Sequence, residues 1–209
     1  IWRECSAKFK KEKDVDKAAR EALHGVTGAF MTEREYKRAM ELAAARDWEA
    51  LLGMHASTRE RLPVESMDRV FDQLFEAIGT PERILDLACG LNPVYLAHRL
   101  PNAAITGVDI RGQCVNVIRA FGGAEARLGD LLCEIPEDEA DAALLFKVLP
   151  LLERQRAGAA MDALMRVNAE WIVASFPTRS LGGRNVGKEK HYSEWMEAHV
   201  PENRAIAAR

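Results

Sequence analysis

Three acidic residues stand at the ends of short apolar runs: Asp86 within Ile84–Cys89, Asp109 near the end of Ala104–Ile110, and Asp130 just after Glu125–Gly129. The first run continues through Ala88-Cys89-Gly90-Leu91-Asn92-Pro93, a strand passing through a glycine turn into a helix. In doubly wound sheets, ligands bind beyond the carboxyl ends of strands at such turns. Gly90 has no Cβ, so the backbone there can come close to a ligand. A dinucleotide loop uses three glycines to admit a pyrophosphate; here there is one glycine and an acid. A carboxylate at that point repels phosphate and suits a cation. Asp109 is placed to accept ribose hydroxyls, and Asp130 to meet an adenine amino group while Leu131 packs on the ring. Each acid taken alone reads equally well as a helix cap or a surface group. Taken together they predict a site for S-adenosylmethionine, a nucleoside carrying an ammonium and a sulfonium, with Asp86, Ala88 and Gly90 lining the first turn.

Such acids need a scaffold that brings three strand ends together. After residue 79 the sequence alternates: strands are expected at Ile84–Cys89, Ala104–Ile110, Glu125–Gly129, Ala142–Leu149 and Trp171–Phe176, with helices at about 93–100, 112–121, 153–168 and 188–199. Alternation with continuous apolar strands predicts an α/β fold with a parallel sheet covered on both faces. Ala205–Arg209 is a candidate sixth strand. Residues 1–78 read as helices only, with apolar residues at helical spacing in Tyr36, Ala39, Met40 and Ala43 and in Val70, Phe71, Leu74, Phe75 and Ile78. Thr32-Glu33-Arg34-Glu35 is a capping box. Gly25–Gly28 and Gly53 are expected helix breaks, and Gly79-Thr80-Pro81 marks the boundary between a helical region, 1–78, and a second domain, 79–209.

The 209 residues suit one domain with an appendage, and the hydrophobic fraction of 48% excludes long disorder. No apolar stretch approaches a membrane span, and no secretory signal opens the chain. The first residue is Ile1, so the natural start is expected upstream. Four cysteines, Cys5, Cys89, Cys114 and Cys133, lack zinc spacing; reduced thiols, no metal and a cytoplasmic location are expected. Net charge is −3, yet residues 1–20 and 176–192 are each net basic while 128–141 is acidic. Segregation of this kind can build a basic face on an acidic protein; a solvated helix face is the plainer reading.

The segment after the fourth strand narrows the methyl acceptor. Leu145-Phe146-Lys147-Val148-Leu149-Pro150 lacks the Asn/Asp-Pro-Pro-aromatic pattern that serves exocyclic amines. Cys133 lacks the preceding proline of a cytosine-C5 nucleophile. The acceptor is then an atom that already has a free lone pair.

The chain resembles the aminoglycoside-resistance methyltransferases that modify guanine N7 in the decoding site of 16S ribosomal RNA. The resemblance covers nearly all of it. It rests on His55-Ala56-Ser57-Thr58-Arg59-Glu60-Arg61-Leu62-Pro63, on the loop through Asn92-Pro93, on Phe146-Lys147-Val148-Leu149-Pro150-Leu151-Leu152-Glu153, and on Ser175-Phe176-Pro177-Thr178-Arg179-Ser180-Leu181-Gly182-Gly183-Arg184. It implies a class I methyltransferase fold, Rossmann-like, whose N-terminal helical extension docks on the 30S subunit. It implies that Arg61 pairs with the carboxylate of S-adenosylmethionine beside His55, that Asp109 holds the ribose, Asp130 and Leu131 the adenine, and that Gln155 lines the same pocket. Lys147, Arg154, Arg179 and Lys188 fall where the family orients the target nucleotide, and Lys8, Lys10, Lys11 and Lys13 where rRNA phosphates are bound. A monomer is the simplest expectation. The family has Met where this chain has Lys188, and it ends on an antiparallel seventh strand for which no sequence follows Arg209. The alternative reading is a small-molecule methyltransferase whose N-terminal helices form a lid; a third is a non-catalytic ribosome binder.

Overall fold

The computed structural model describes residues 2–27, 30–177, 189–202 and 204–207. Arg179 and Lys188 lie outside the described residues.

Five strands form one all-parallel sheet: β1 (Arg83–Leu87), β2 (Ala104–Asp109), β3 (Glu125–Leu128), β4 (Ala140–Phe146) and β5 (Ala169–Ser175). Their spatial order is β3-β2-β1-β4-β5. The order reverses between β1 and β4, so the crevice beyond their carboxyl ends is the topological switch point. Register carries the three acids to that edge: Asp86 lies opposite Gly107 and Leu144, and Asp109 opposite Leu128, two residues before Asp130.

Alternate residues along each strand face opposite sides, and each side has its own apolar cluster. Ile84, Ile105 and Leu144 join the cluster under α7 (Asn92–Arg99) and α8 (Gly112–Phe121). Leu85, Leu87, Val108, Ala143 and Leu145 join the other, under α9 (Leu149–Gln155) and α10 (Ala159–Arg166). The N-terminal helices complete the first cluster. From α3 (Glu33–Ala44), α4 (Trp48–Leu52) and α6 (Val64–Ile78) come Ala39, Leu42, Leu51, Leu52, Met67 and Phe71, packed with Leu91, Val94 and Tyr95. The helical region from Met31 onward therefore shares a core with the sheet. Preceding it are α1 (Trp2–Lys8) and α2 (Glu12–Thr27), which pack on each other.

The capping box is present: Glu35 N donates to Thr32 Oγ1 at 3.2 Å, and Thr32 N donates to Glu35 Oε2 at 2.7 Å. Gly79, at φ +78, ends α6.

Four local expectations change. The helix α2 runs on through Gly25 to Thr27, because one glycine costs a helix only about 1 kcal/mol. The fourth strand starts at Ala140 and stops at Phe146, where Lys147, at φ +59, turns the chain into α9. The single helix expected over 153–168 is two, broken where Arg156 is extended and Gly158 sits at φ +80. The Glu153 carboxylate then caps α10, accepting from Gly158 N at 2.8 Å and Ala160 N at 3.2 Å. Residues 204–207 form no strand; Arg204 instead donates to the carbonyls of Val167, Ala169 and Glu170. The last helix is α11 (Glu189–His199), whose Trp195 and Met196 pack on the second cluster with Phe176.

Candidate active site at the switch point

The turn after β1 is built from uncommon backbone. Ala88 has φ +58 and Gly90 φ +56; a non-glycine residue in that region costs roughly 1 kcal/mol or more and persists only where its surroundings demand it. Cys89 N donates to Val108 O at 3.1 Å, and Gly90 N donates to Asp109 Oδ2 at 2.8 Å. The other oxygen of Asp109 accepts from Arg111 N at 2.8 Å. Asp109 thus clamps the turn after β1 to the turn after β2, and a ribose would use its remaining lone pairs. Burial raises its pKa, and the two backbone N–H groups work against the rise.

Glycine at position 90 has a second cause besides its φ. A Cβ there would lie 2.6 Å from His55 Cε1 and 2.8 Å from His55 Nδ1. The space that Gly90 leaves open is therefore filled by a histidine of the N-terminal region. His55 Nδ1 lies 2.8 Å from Ser57 Oγ, and its ring stacks on Phe30 at 5.7 Å. Burial, together with the charges of Arg111, Arg61 and Arg59, pushes its pKa down to about 3, so the ring is neutral at physiological pH.

Asp86 is buried in the strand. Its Oδ2 accepts from Asn92 Nδ2 at 2.7 Å, and Asn92 Oδ1 accepts from Arg61 Nη1 at 2.9 Å. Burial pushes the Asp86 carboxyl up to about 7, against the pull of Asn92 and Arg61, and the Asp109 charge adds to the rise. Arg61 also donates Nε–H to Ser57 O at 2.9 Å and lies over the Phe146 ring, 5.4 Å from its centre. Burial lowers the pKa of its guanidinium.

At the end of β4, Lys147 Nζ meets Glu60 Oε1 at 2.5 Å, and Lys147 N donates to Ser175 O at 2.9 Å. One short segment, His55–Arg61, which contains the single-turn helix α5 (Ala56–Arg59), therefore touches the β1 turn through His55, Asn92 through Arg61, and the β4 end through Glu60.

His55, Arg61, Asp86, Gly90, Asp109 and Lys147 are joined in this way around the switch point. Ala88 is exposed in the turn itself. Asp130 and Leu131 follow β3. The Asp130 carboxylate accepts from Leu132 N at 3.0 Å and from Cys133 Sγ at 3.6 Å, so it also caps its own turn. Leu131 is buried in the second apolar cluster with Leu85 and Leu87. Gln155 is half-buried and Arg154 exposed, both in the last turn of α9. Lys8, Lys10, Lys11 and Lys13 are exposed on α1, α2 and the residues between, and among the described residues they form no ion pair. No disulfide joins the four cysteines, and burial pushes the Cys89 and Cys114 thiols well up. No described helix is long and apolar enough to cross a membrane, and no group of metal-ligating side chains occurs among the described residues.

Sequence reasoning gave no role of their own to Ser57, Glu60, Asn92, Arg111 and Phe146, although all but Arg111 lie in the motifs that carry the resemblance. None has a spacing signature of its own; each matters through a partner remote in the chain.

The chain is similar to known proteins over almost all of its length. A family model described as "Ribosomal RNA methyltransferase (FmrO)" matches residues 1–206. A 16S rRNA (guanine(1405)-N(7))-methyltransferase of Serratia marcescens is 43% identical over 199 residues, covering 93% of this chain and 78% of that protein. A protein of the same name from Frankia casuarinae is 36% identical over 212 residues, covering 91% and 74%. Among solved structures, the 16S rRNA methyltransferase RmtF in complex with S-adenosyl-L-homocysteine superposes with a TM-score of 0.86 at 43% identity, covering 100% of this chain and 84% of that one. The 16S rRNA methylase RmtB gives 0.82 at 38% identity, covering 97% and 80%. With the parallel sheet, the acid-bearing strand ends and this match from residue 1 to residue 206 all in agreement, the chain belongs to the FmrO family of ribosomal RNA methyltransferases.

Proposed function

We propose that this protein transfers a methyl group from S-adenosylmethionine to N7 of a guanine in the decoding site of 16S rRNA, within the 30S subunit, and so confers aminoglycoside resistance. The observation that carries the reading is the family match over residues 1–206, together with relatives of that activity at 43% and 36% identity.

The donor set at the switch point fits the cofactor's chemistry. Arg61 offers a guanidinium for the amino-acid carboxylate. Asp86 and the β1 turn offer acceptors for the ammonium, with Ala88 and Gly90 beside them. Asp109 offers lone pairs for the ribose. Asp130 and Leu131 are assigned to the adenine, with His55 and Gln155 on the same pocket. When bound, the cofactor supplies an electrophilic methyl on a sulfonium.

The remaining chemistry asks little of the protein. Guanine N7 carries an in-plane lone pair and no proton, so no general base is needed. Positioning of the attacking nitrogen in line with the methyl–sulfur bond is the main catalytic contribution. The base becomes cationic as the sulfonium loses its charge. Cationic side chains near it therefore hold phosphate and O6 and do not stabilise the developing charge. Lys147, Arg154, Arg179 and Lys188 are assigned to that task. N7 lies on the major-groove edge, which in RNA is too deep and narrow for side chains. The guanine therefore has to leave its stack, at a cost of a few kcal/mol. Residues 1–78, with Lys8, Lys10, Lys11 and Lys13, are assigned to docking on rRNA phosphates, which offsets that cost. Residues 79–209 are assigned to the methyltransferase domain, which shares its core with the helices from Met31 onward and takes His55 and Arg61 from them.

The test is transfer of a labelled methyl group from S-adenosylmethionine to purified 30S subunits, with the modified position mapped on 16S rRNA. One N7-methylguanine in the decoding site is expected, with cells expressing the protein surviving aminoglycosides. Label only on small metabolites, or no label on 30S subunits, overturns the reading.

A further inference from the structure

Asn92 opens α7 and is 1% exposed, between the Asp86 carboxyl and the Arg61 guanidinium, each of which it contacts. Its amide has one donor end and one acceptor end. The donor end reaches Asp86 Oδ2 at 2.7 Å, and the acceptor end receives Arg61 Nη1 at 2.9 Å. Only this orientation satisfies both neighbours, because a carboxylate only accepts and a guanidinium only donates. Turned over, the amide would set its oxygen against the carboxylate and its NH₂ against the guanidinium.

The consequence is a guanidinium kept away from the nearest buried carboxylate. Among the described residues Arg61 forms no ion pair, although burial lowers its pKa. Its other contacts are the Ser57 carbonyl and the Phe146 ring; neither neutralises it. Two of its five N–H groups are used, by Ser57 and Asn92, which leaves three for an incoming anion. If Asn92 were absent, Asp86 and Arg61 would have nothing between them. A partly buried cation beside a buried carboxylate gains by pairing directly, because leaving either charge unpaired is costly.

We propose that Asn92 is a positioning residue that separates Arg61 from Asp86, so that the guanidinium stays available for the carboxylate of the cofactor's amino-acid moiety. The inference rests on the proposed reading of Arg61 as the carboxylate partner. In that role Asn92 never touches the reacting atoms. It sets how strongly the pocket prefers a nucleoside that carries an amino acid over one that lacks it.

The experiment compares two ligands by calorimetry: S-adenosylhomocysteine, and 5′-methylthioadenosine, which keeps the nucleoside and thioether without the amino acid. Wild type should prefer the first, and Arg61→Ala should remove that preference. Asn92→Ala should weaken S-adenosylhomocysteine on the order of tenfold, the scale of a lost charge-assisted contact, and leave methylthioadenosine unchanged. In the Arg61→Ala background, Asn92→Ala should cost no further affinity, as a double-mutant cycle requires of a residue acting through another. In the near-isosteric Asn92→Asp a proton shared with Asp86 replaces the lost amide donor while the new carboxyl group pairs with Arg61; it should show the same selective loss, and a cooperative thermal melt would certify its fold should the alanine variant be unstable. Equal loss of both ligands, or no loss of either, overturns the role of Asn92 alone. A wild type without preference, or an Arg61→Ala variant that keeps it, overturns the reading of Arg61 beneath it.

Discussion

Glu60 and Lys147, 87 residues apart in sequence, meet side chain to side chain at the end of β4, while Arg61 beside Glu60 reaches toward the β1 turn instead. Neighbouring residues of one loop thus serve two walls of the switch point. Lys147 stands in left-handed backbone, φ +59, which costs about 1–3 kcal/mol and is held by its surroundings.

Glu60→Gln is expected to release Lys147 without touching the groups around Asp86. Affinity for S-adenosylhomocysteine should stay within about twofold, since an exposed ion pair is worth only about 0–1 kcal/mol. Methylation of 30S subunits should change through KM for the subunit. A fall in cofactor affinity of the same size would remove Glu60 from the target side.

Asp109→Ala strips two backbone N–H groups, those of Gly90 and Arg111, of their acceptor. Stability should drop by about 1–3 kcal/mol, the cost of leaving buried donors unsatisfied. S-adenosylhomocysteine binding should weaken as well, because the turn after β1 loses its clamp. Unchanged affinity in calorimetry would count against a role for Asp109 at the ribose.

His55 and Asp86 should oppose one another in the pH dependence of stability. The folded pKa of His55, about 3, lies below its ordinary 6.5. Between those values the unfolded chain binds the proton and the folded one does not, so this group destabilises as pH falls below 6.5. The folded pKa of Asp86, about 7, lies above its ordinary 3.8. Its contribution is present at low pH and is lost as pH rises from about 4 to 7. Each slope is at most about 1.4 kcal/mol per pH unit, so in wild type they largely cancel. Thermal melts from pH 4.5 to 6.5 should show His55→Asn losing stability with rising pH relative to wild type, and Asp86→Asn gaining it. Parallel curves for all three proteins would show that neither group is shifted.

Charge reversal at Lys10 and Lys11, both exposed and free of ion pairs among the described residues, should weaken 30S binding and flatten its salt dependence. S-adenosylhomocysteine affinity should not change. Undiminished 30S binding would make this segment a solvated surface only.

Much of the scaffold was legible in the residues. The Ile84–Leu87 run, the acids at Asp86 and Asp109 and the capping box at Thr32 and Glu35 are local patterns, and local backbone preference decides them. One boundary shifted because a side chain of the preceding helix intervened, Glu153 capping a new helix at Gly158; the end of β4 shifted because the backbone of Lys147 turns left-handed. Gly90 was legible as a turn glycine; that its open side faces His55 was not.

Residue order alone dictates the alternation of strands and helices, the acids at three strand ends, and the motifs of the family. Each of these depends on residues a few positions apart, where spacing along the chain is spacing in space. Folding in three dimensions was needed to set Asn92 between Asp86 and Arg61, to make Asp109 a clamp on two turns, and to bring Glu60 to Lys147. Hydrogen bonds between remote segments have no period in sequence. They arise from how two apolar clusters pack on the two faces of the sheet, which sets where each polar group comes to rest.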